Sequence, residues 1–320
     1  MMPSKSSLDR LPKALSARWE AEREVYEAAL RERLEVPEEA VSMAISLDGV
    51  MTPMKDGART AKRAEARAAG RRTKGPAGYQ EAGCASVSFY DIAGERLATI
   101  RFARMPEAKK ATLKSALAAE VHAVLAKCPE LTVVKVADGA KDNWTFLAGL
   151  VPEGEERVDF FHAAEQLKAA LDAAYGENDP KGRAQFDKLR HVLRHDADGV
   201  AKVIRALVYL RDKHPRRKRI GEVLGYFRRH RQRMDYADAA ERNLPIGSGV
   251  IEAACKTLVT QRMKRSGMRW RPAGGQAILT LRGWVQSKRF EHAWHRLSDT
   301  YRTKVELPDN VVTLPRKRAA

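Results

Sequence analysis

Residues 131–139 read LTVVKVADG, an apolar, β-branched run of strand length that stops at an Asp-Gly turn signal. Just before it, residues 106–127 carry Leu113, Leu117, Val121, Val124 and Leu125 at helical spacing. Just after it, residues 141–150 read as a short helix and RVDFF (157–161) as another strand. Upstream, residues 41–47 form a short apolar strand that ends at Asp48-Gly49. ASVSFY (85–90) and LATIRF (97–102) follow, joined through Asp91-Ile92-Ala93-Gly94, where glycine is free to take positive φ. The order is β-β-β-α-β-α-β, which predicts a mixed α/β sheet. Ligands of such sheets gather beyond the carboxyl ends of the strands. Asp48 is expected at the end of the first strand and Asp138 at the end of the fourth. If those two strands are adjacent and parallel, the two acids stand side by side.

A third acid lies far downstream in LPIGSGVIEAACKTLVTQRMKRSGMRW (244–270). Pro245 and Gly247-Ser248-Gly249 mark a loop, and Ser248 is placed to cap a helix. Val250, Ile251, Ala254, Leu258 and Val259 supply its apolar spacing. Glu252 is the only acid of that helix, and the basic side chains Lys256, Arg262, Lys264, Arg265 and Arg269 follow it. A carboxylate one turn into a helix lies near the positive dipole end, and the basic residues suit a polyanion. Taken alone, the helix equally reads as an amphipathic surface element whose acid pairs with Lys256 at i+4.

Lys and Arg number 59 against 41 Asp and Glu, a net charge of +18 that favours a nucleic-acid partner. No apolar run approaches the roughly 20 residues that span a bilayer, and the N-terminal MMPSKSSLDRLPKAL lacks the apolar core of a secretory signal. The three cysteines, Cys84, Cys128 and Cys255, show no CxxC pairing, as expected of reduced structural thiols in a cytoplasmic protein without a zinc site.

The chain divides into a helical leader (1–40), the first part of a core (41–161), an all-helical insertion (162–246), the last core helices with Glu252 (247–297) and a flexible tail (298–320). Within the leader, residues 9–35 have one charged helical pattern, broken at Val36-Pro37. Residues 55–80, rich in Lys, Arg, Ala and Gly, are expected as an exposed basic loop, loose helix or plain solvated linker. The insertion carries helical patterns at 164–174, 184–193, 200–210 and 220–233. Arg216, Arg217, Lys218 and Arg219, then Arg228, Arg229, Arg231 and Arg233, are dense enough to track phosphates. Trp270, between Arg269 and Arg271, suits stacking on an unpaired base, or anchoring in the core. His191 and His195 have no third ligand at metal spacing and read as a surface helix. Asp142 reads as compensating a helix dipole.

Cutting or joining a phosphodiester needs an oxygen nucleophile, a stabilised leaving oxygen and neutralised charge at phosphorus, which two divalent ions ~3.5–4 Å apart supply together. Carboxylates suit hard Mg²⁺. Asp48, Asp138 and Glu252 would form such a cage.

SLDGVM around Asp48, KVADGAK around Asp138, DFFHAAEQL (159–167) and the 244–270 stretch resemble bacterial insertion-sequence transposases of the DDE class, in particular the Kra-type group. The resemblance spans roughly residues 41–297. It implies a ribonuclease H-like fold (β-β-β-α-β-α-β-α) with an all-helical insertion before the last catalytic helix. It puts the catalytic, metal-holding triad on Asp48, Asp138 and Glu252, with two Mg²⁺ ions (or Mn²⁺) as cofactor. Asp159 and His162 would match the acid-x-x-His element that holds DNA near the metals; otherwise they are a helix N-cap and a satisfied core imidazole. DNA contacts are expected from His162, Lys256, Arg262, Lys264, Arg265, Arg269, Trp270, Arg217 and Arg229. The partners implied are double-stranded DNA, as element ends and target, and further copies of the chain in a dimer or larger assembly, in a bacterial cytoplasm on the nucleoid. Residues 1–40 leave little room for a full helix-turn-helix reader of terminal repeats; the family the chain resembles usually carries a longer N-terminal region. A non-catalytic DNA-binding remnant, and a ribonuclease H-like nuclease that never joins strands, are the alternatives.

Overall fold

Alternation along the strands decides what each face of the sheet meets. The computed structural model describes residues 5–55, 57–71 and 78–301. Its five strands are β1 (Ser42–Pro53), β2 (Tyr79–Tyr90), β3 (Arg96–Arg104), β4 (Thr132–Ala137) and β5 (Glu155–Val158), in the spatial order β3-β2-β1-β4-β5. β1, β2 and β3 form an antiparallel meander, while β4 is parallel to β1 and β5 to β4. The hairpin between β2 and β3 is the expected one. Asp91 Oδ1 accepts from the amides of Ala93 (3.0 Å) and Glu95 (2.8 Å), and Gly94 takes φ 79°.

Odd-numbered Met43, Ile45 and Leu47 of β1, with Ala85, Val87 and Phe89 of β2, share a core with Leu113, Leu117, Val121 and Val124 of α4 (Ala111–Lys127). Even-numbered Ala82 and Cys84 meet the opposite layer, where Ile251, Ala254, Cys255, Leu258 and Val259 pack across the sheet. Asp48 has even parity and therefore faces that second layer.

The helices before the sheet are α1 (Lys5–Ala21) and α2 (Arg23–Glu32), where the sequence pattern suggested one run; they part at Glu22. Trp19 packs on Tyr26 and on Trp284 of α13 (Pro272–Gln286), so the leader is docked against the C-terminal helices. Within the basic segment expected at 55–80, α3 (Gly57–Ala68) is a helix, and the end of the segment belongs to β2; residues 56 and 72–77 lie outside the described residues.

α5 (Lys141–Leu150) joins β4 to β5. The insertion comprises α6 (Phe160–Tyr175), α7 (Pro180–His195), α8 (Gly199–Lys213), α9 (Lys218–His230) and α10 (Tyr236–Glu241). Its apolar faces, including Leu167, Leu193, Leu207, Val223 and Phe227, are continuous with the sheet core. The Glu252 element departs from the expected regular helix. α11 (Gly249–Ala254) passes into a π-helical stretch, Cys255–Thr260, before α12 (Gln261–Met263). The wider turn is held from α13: Gln286 bonds the Thr257 hydroxyl at 2.8 Å, and Arg282 donates to the Thr257 carbonyl. Residues 298–301, expected as the start of a flexible tail, belong to α14 (Phe290–Tyr301); residues 302–320 lie outside the described residues. Among the described residues no helix is long and apolar enough to cross a membrane.

Leu117 is fully buried between α4 and the sheet. Leu117→Ala is expected to lower the unfolding free energy by about 2–5 kcal/mol, read as a lower urea midpoint with an unchanged slope.

Candidate active site

The β1–β4 register aligns Ser42 with Thr132, Ala44 with Val134 and Ser46 with Val136. One more step of the same pleat brings Asp48 opposite Asp138, across a strand spacing of about 4.8 Å. Asp48 was expected at a strand end; β1 runs on to Pro53, so the acid sits inside the strand, paired with Cys84 of β2. Antiparallel pairing sustains β1 beyond the point where its parallel neighbour stops. Asp138 follows the last residue of β4, as expected.

Each carboxylate is fixed by its surroundings. Asp48 accepts from the Gly49 amide (2.6 Å) and from the Cys255 thiol (3.6 Å). Asp138 Oδ1 accepts from the Ala140 amide (3.1 Å) and from Asn143 Nδ2 (3.2 Å). Asn143, buried at the start of α5, also donates to the Leu47 carbonyl at 3.4 Å, tying the two strands together beside the acids. The Trp144 indole N–H donates to the Asp138 carbonyl at 2.7 Å. Burial pushes the Asp48 carboxyl up, and the charge of Asp138 adds to it; the Gly49 bond and Lys110 oppose the shift.

The third acid reaches the same cleft from the other layer. Glu252, in the first turn of α11, is exposed, and Ser248 Oγ donates to it at 3.3 Å. Ser248 occupies the N-cap position, but its hydroxyl bonds no backbone amide of the helix and donates instead to the carboxylates of Asp159 and Glu252. Burial and then the charge of Asp159 raise the Glu252 pKa. Asp159 was read within a strand at 157–161, yet β5 ends at Val158. The buried Asp159 caps α6 instead, accepting from the amides of Phe161 (2.6 Å) and His162 (3.3 Å). Phe160 N–H donates to the Ile246 carbonyl at 3.0 Å, locking the start of α6 to the loop before Glu252.

A cavity of about 150 Å³ is lined by Asp48, Asp138, Asp159, His162, Ser248 and Glu252. The acids sit in it as two electrostatic pairs, Asp48 with Asp138 and Glu252 with Asp159. Among the described residues no three His, Cys, Asp or Glu are gathered into a ready metal cluster. Glu252 leans on Ser248 and Asp159, so the tight cage read from the sequence is not closed.

Of the residues expected to meet DNA, His162 alone lines this cavity; its ring is half-buried and edge-on to Tyr226 at 6.0 Å. Lys256, Lys264, Arg265 and Arg269 are exposed, and no ion pair joins Lys256 to Glu252 among the described residues. Arg262 lies over the Trp270 ring at 5.4 Å, while the Trp270 N–H donates to the Met263 carbonyl at 3.0 Å. Trp270 also bonds through its backbone to Pro53 and Lys55, so it anchors the end of β1. Arg217 precedes α9 and Arg229 lies near its end, both exposed. His191 and His195 lie on the surface with ring centroids 4.5 Å apart and planes tilted by 38°, and Asp142 sits exposed in the first turn of α5.

Sequence reading missed Asn143, Cys255, Tyr226 and His230. Asn143 follows Asp138 within the same turn-and-helix start, a faint signal of a local bond. Tyr226 and His230 come from a distant helix and carried none. Compared with known protein families and with curated protein sequences, the chain gives no match in either.

The raised Asp48 pKa has a thermodynamic consequence. The native state holds this proton more tightly than the unfolded chain does. Stability from the group is therefore intact below the ordinary aspartate range and lost as pH rises through the raised value. In metal-free buffer, Asp48→Asn is expected to melt higher than the wild type near pH 7. The gap should narrow towards about pH 3, as followed by circular dichroism.

Proposed function

We propose that this chain is a DDE-type DNA transposase with a ribonuclease H-like core, cutting DNA at the ends of an insertion element and joining the freed 3′-hydroxyl to target DNA. The observation that carries the reading is that Asp48, Asp138 and Glu252, remote along the chain, line one cleft where the parallel pairing of β1 with β4 stops. The donors there suit a hard divalent cation, Mg²⁺ or Mn²⁺. They are carboxylate oxygens; burial first, and then a neighbouring carboxylate (Asp138 beside Asp48, Asp159 beside Glu252), raises the Asp48 and Glu252 pKa values, and a bound cation would offset both effects. Asp48, Asp138 and Glu252 would hold it, and two bound ions supply charge neutralisation at phosphorus and activation of the attacking oxygen.

The chain's own residues do the positioning. Asn143 holds Asp138 against β1, and the Asp159–Ser248 contact sets the angle from which Glu252 approaches. His162, on the cavity wall, would donate to a phosphate oxygen of the strand being cut. The basic side chains beyond Glu252 and along α9 would hold the flanking duplex. A dimer or larger assembly supplies one such site to each element end, in a bacterial cytoplasm on the nucleoid.

The test is a supercoiled plasmid carrying candidate ends, incubated with Mg²⁺. Asp48→Asn, Asp138→Asn and Glu252→Gln are expected to slow nicking by at least about a hundredfold while DNA affinity stays within a few-fold. Asn143→Ala should cost roughly 10- to 100-fold, as the loss of a ligand's hydrogen-bonding partner does. Nicking without strand-transfer products would leave a nuclease. DNA binding without metal-dependent nicking would leave a non-catalytic binder.

A second measurement addresses the basic surface. Plotted as log K against log salt, DNA affinity should fall with a slope of about −0.9 per phosphate contacted; a flat plot would remove the nucleic-acid partner.

A further inference from the structure

On the far side of the Asp138-Gly139 turn lies a second cavity, of about 490 Å³, between α5 and α9. Its wall includes Gly139, Lys141, Trp144, Arg229, His230 and Arg233. No acid lines it. Arg233 is held from behind, its Nε on Glu156 at 2.5 Å and its guanidinium over the Trp144 ring at 4.5 Å. Lys141 and Arg229 are exposed, and neither enters an ion pair among the described residues. No carboxylate on the cavity wall opposes their charge.

His230, on the same wall, is buried without a partner. It is 3% exposed, and neither of its ring nitrogens has a hydrogen-bond partner. A buried donor left unmade is costly and uncommon, and a ligand is one way it is satisfied. Burial, then the charges of Arg233 and Arg229, hold the imidazole towards its neutral form, which keeps one N–H to donate. A Cβ on Gly139 would lie 3.3 Å from His230 Nε2 and 2.5 Å from the Tyr226 ring. The imidazole thus rests against the turn that carries Asp138, and glycine is what allows that approach.

We propose that this pocket is a phosphate-binding subsite for a nucleic-acid strand, in which Lys141, Arg229 and the His230 N–H grip a phosphodiester flanking the one presented to the acids. It rests on the transposase reading for its place beside the cleft and deepens it. The helical insertion, through α9, then holds the strand on which the sheet acts.

The experiment uses the full chain and a fluorescent DNA duplex in EDTA, so that no cleavage is needed. Lys141→Ala and Arg229→Ala should each flatten the salt dependence of binding by about one unit of slope, whereas Lys13→Ala on α1 should not. His230→Leu should weaken binding by about tenfold, the loss of one bond to a charged group, without lowering the melting temperature, because it removes an unpartnered polar group from the interior. Unchanged slopes in both charge variants together with unchanged affinity in His230→Leu would overturn the subsite, whether or not Asp48→Asn abolishes nicking. Weakened binding with no metal-dependent nicking in the wild type would keep the subsite and sink the transposase reading instead. Inorganic phosphate that shifts the His230 ring resonances, with no change in DNA affinity in any variant, would make this a free-anion site and overturn its assignment to a strand.

Discussion

The parallel pairing of β1 with β4 is the constraint on which the rest of the site depends. Its register carries two acids, from distant parts of the chain, to neighbouring positions on one face of the sheet. Nothing in their own chemistry favours this. Burial of a carboxylate and, after it, the charge of its neighbour both oppose ionisation, and the raised Asp48 pKa records that cost. Stabilisation comes from elsewhere, from Ile45 and Leu47 on the opposite face of the same strand, sealed by α4. A strand that buries one face can carry charge on the other, because alternate side chains point apart.

The second layer of the sheet does comparable work for Glu252. Ile251, Ala254, Cys255 and Leu258 bury themselves on β2 and bring the start of α11 over the acids. The π-helical stretch that follows re-sets the helix phase, so that Leu258 and Val259 stay buried while Lys256 turns outward. Asp159 joins the two systems. It caps α6, accepts from Ser248, and lies close enough to raise the Glu252 pKa. One residue therefore couples the start of the helical insertion to the loop before the last acid. On the proposed reading, the residue that shapes the fold is also the one that sets the approach of the third carboxylate.

The insertion shares its core with the sheet rather than forming a separate body. Tyr226 shows the consequence for the site: burial and then the charges of Asp138 and Asp159 push its hydroxyl pKa up, so α9 is within electrostatic reach of both acid pairs. Any change in how α9 packs would be felt at the Asp138-Gly139 turn.

The amino-acid sequence by itself determined the strand–helix order, the hairpin at Asp91–Gly94 and the three acids singled out, because periodicity, turn chemistry and charge are local and survive in a linear reading. It also marked the helical insertion, although the strand expected at 157–161 ends at Val158, since Val158, Phe160 and Phe161 suit strand and helix equally well and Asp159 between them caps α6. Tertiary structure alone decided that β1 extends past Asp48, that Asp159 lies beside Glu252, and that Tyr226 and His230 reach the Asp138-Gly139 turn. These outcomes turn on which segment packs against which, and a pairing between residues tens of positions apart leaves no periodic trace in either partner.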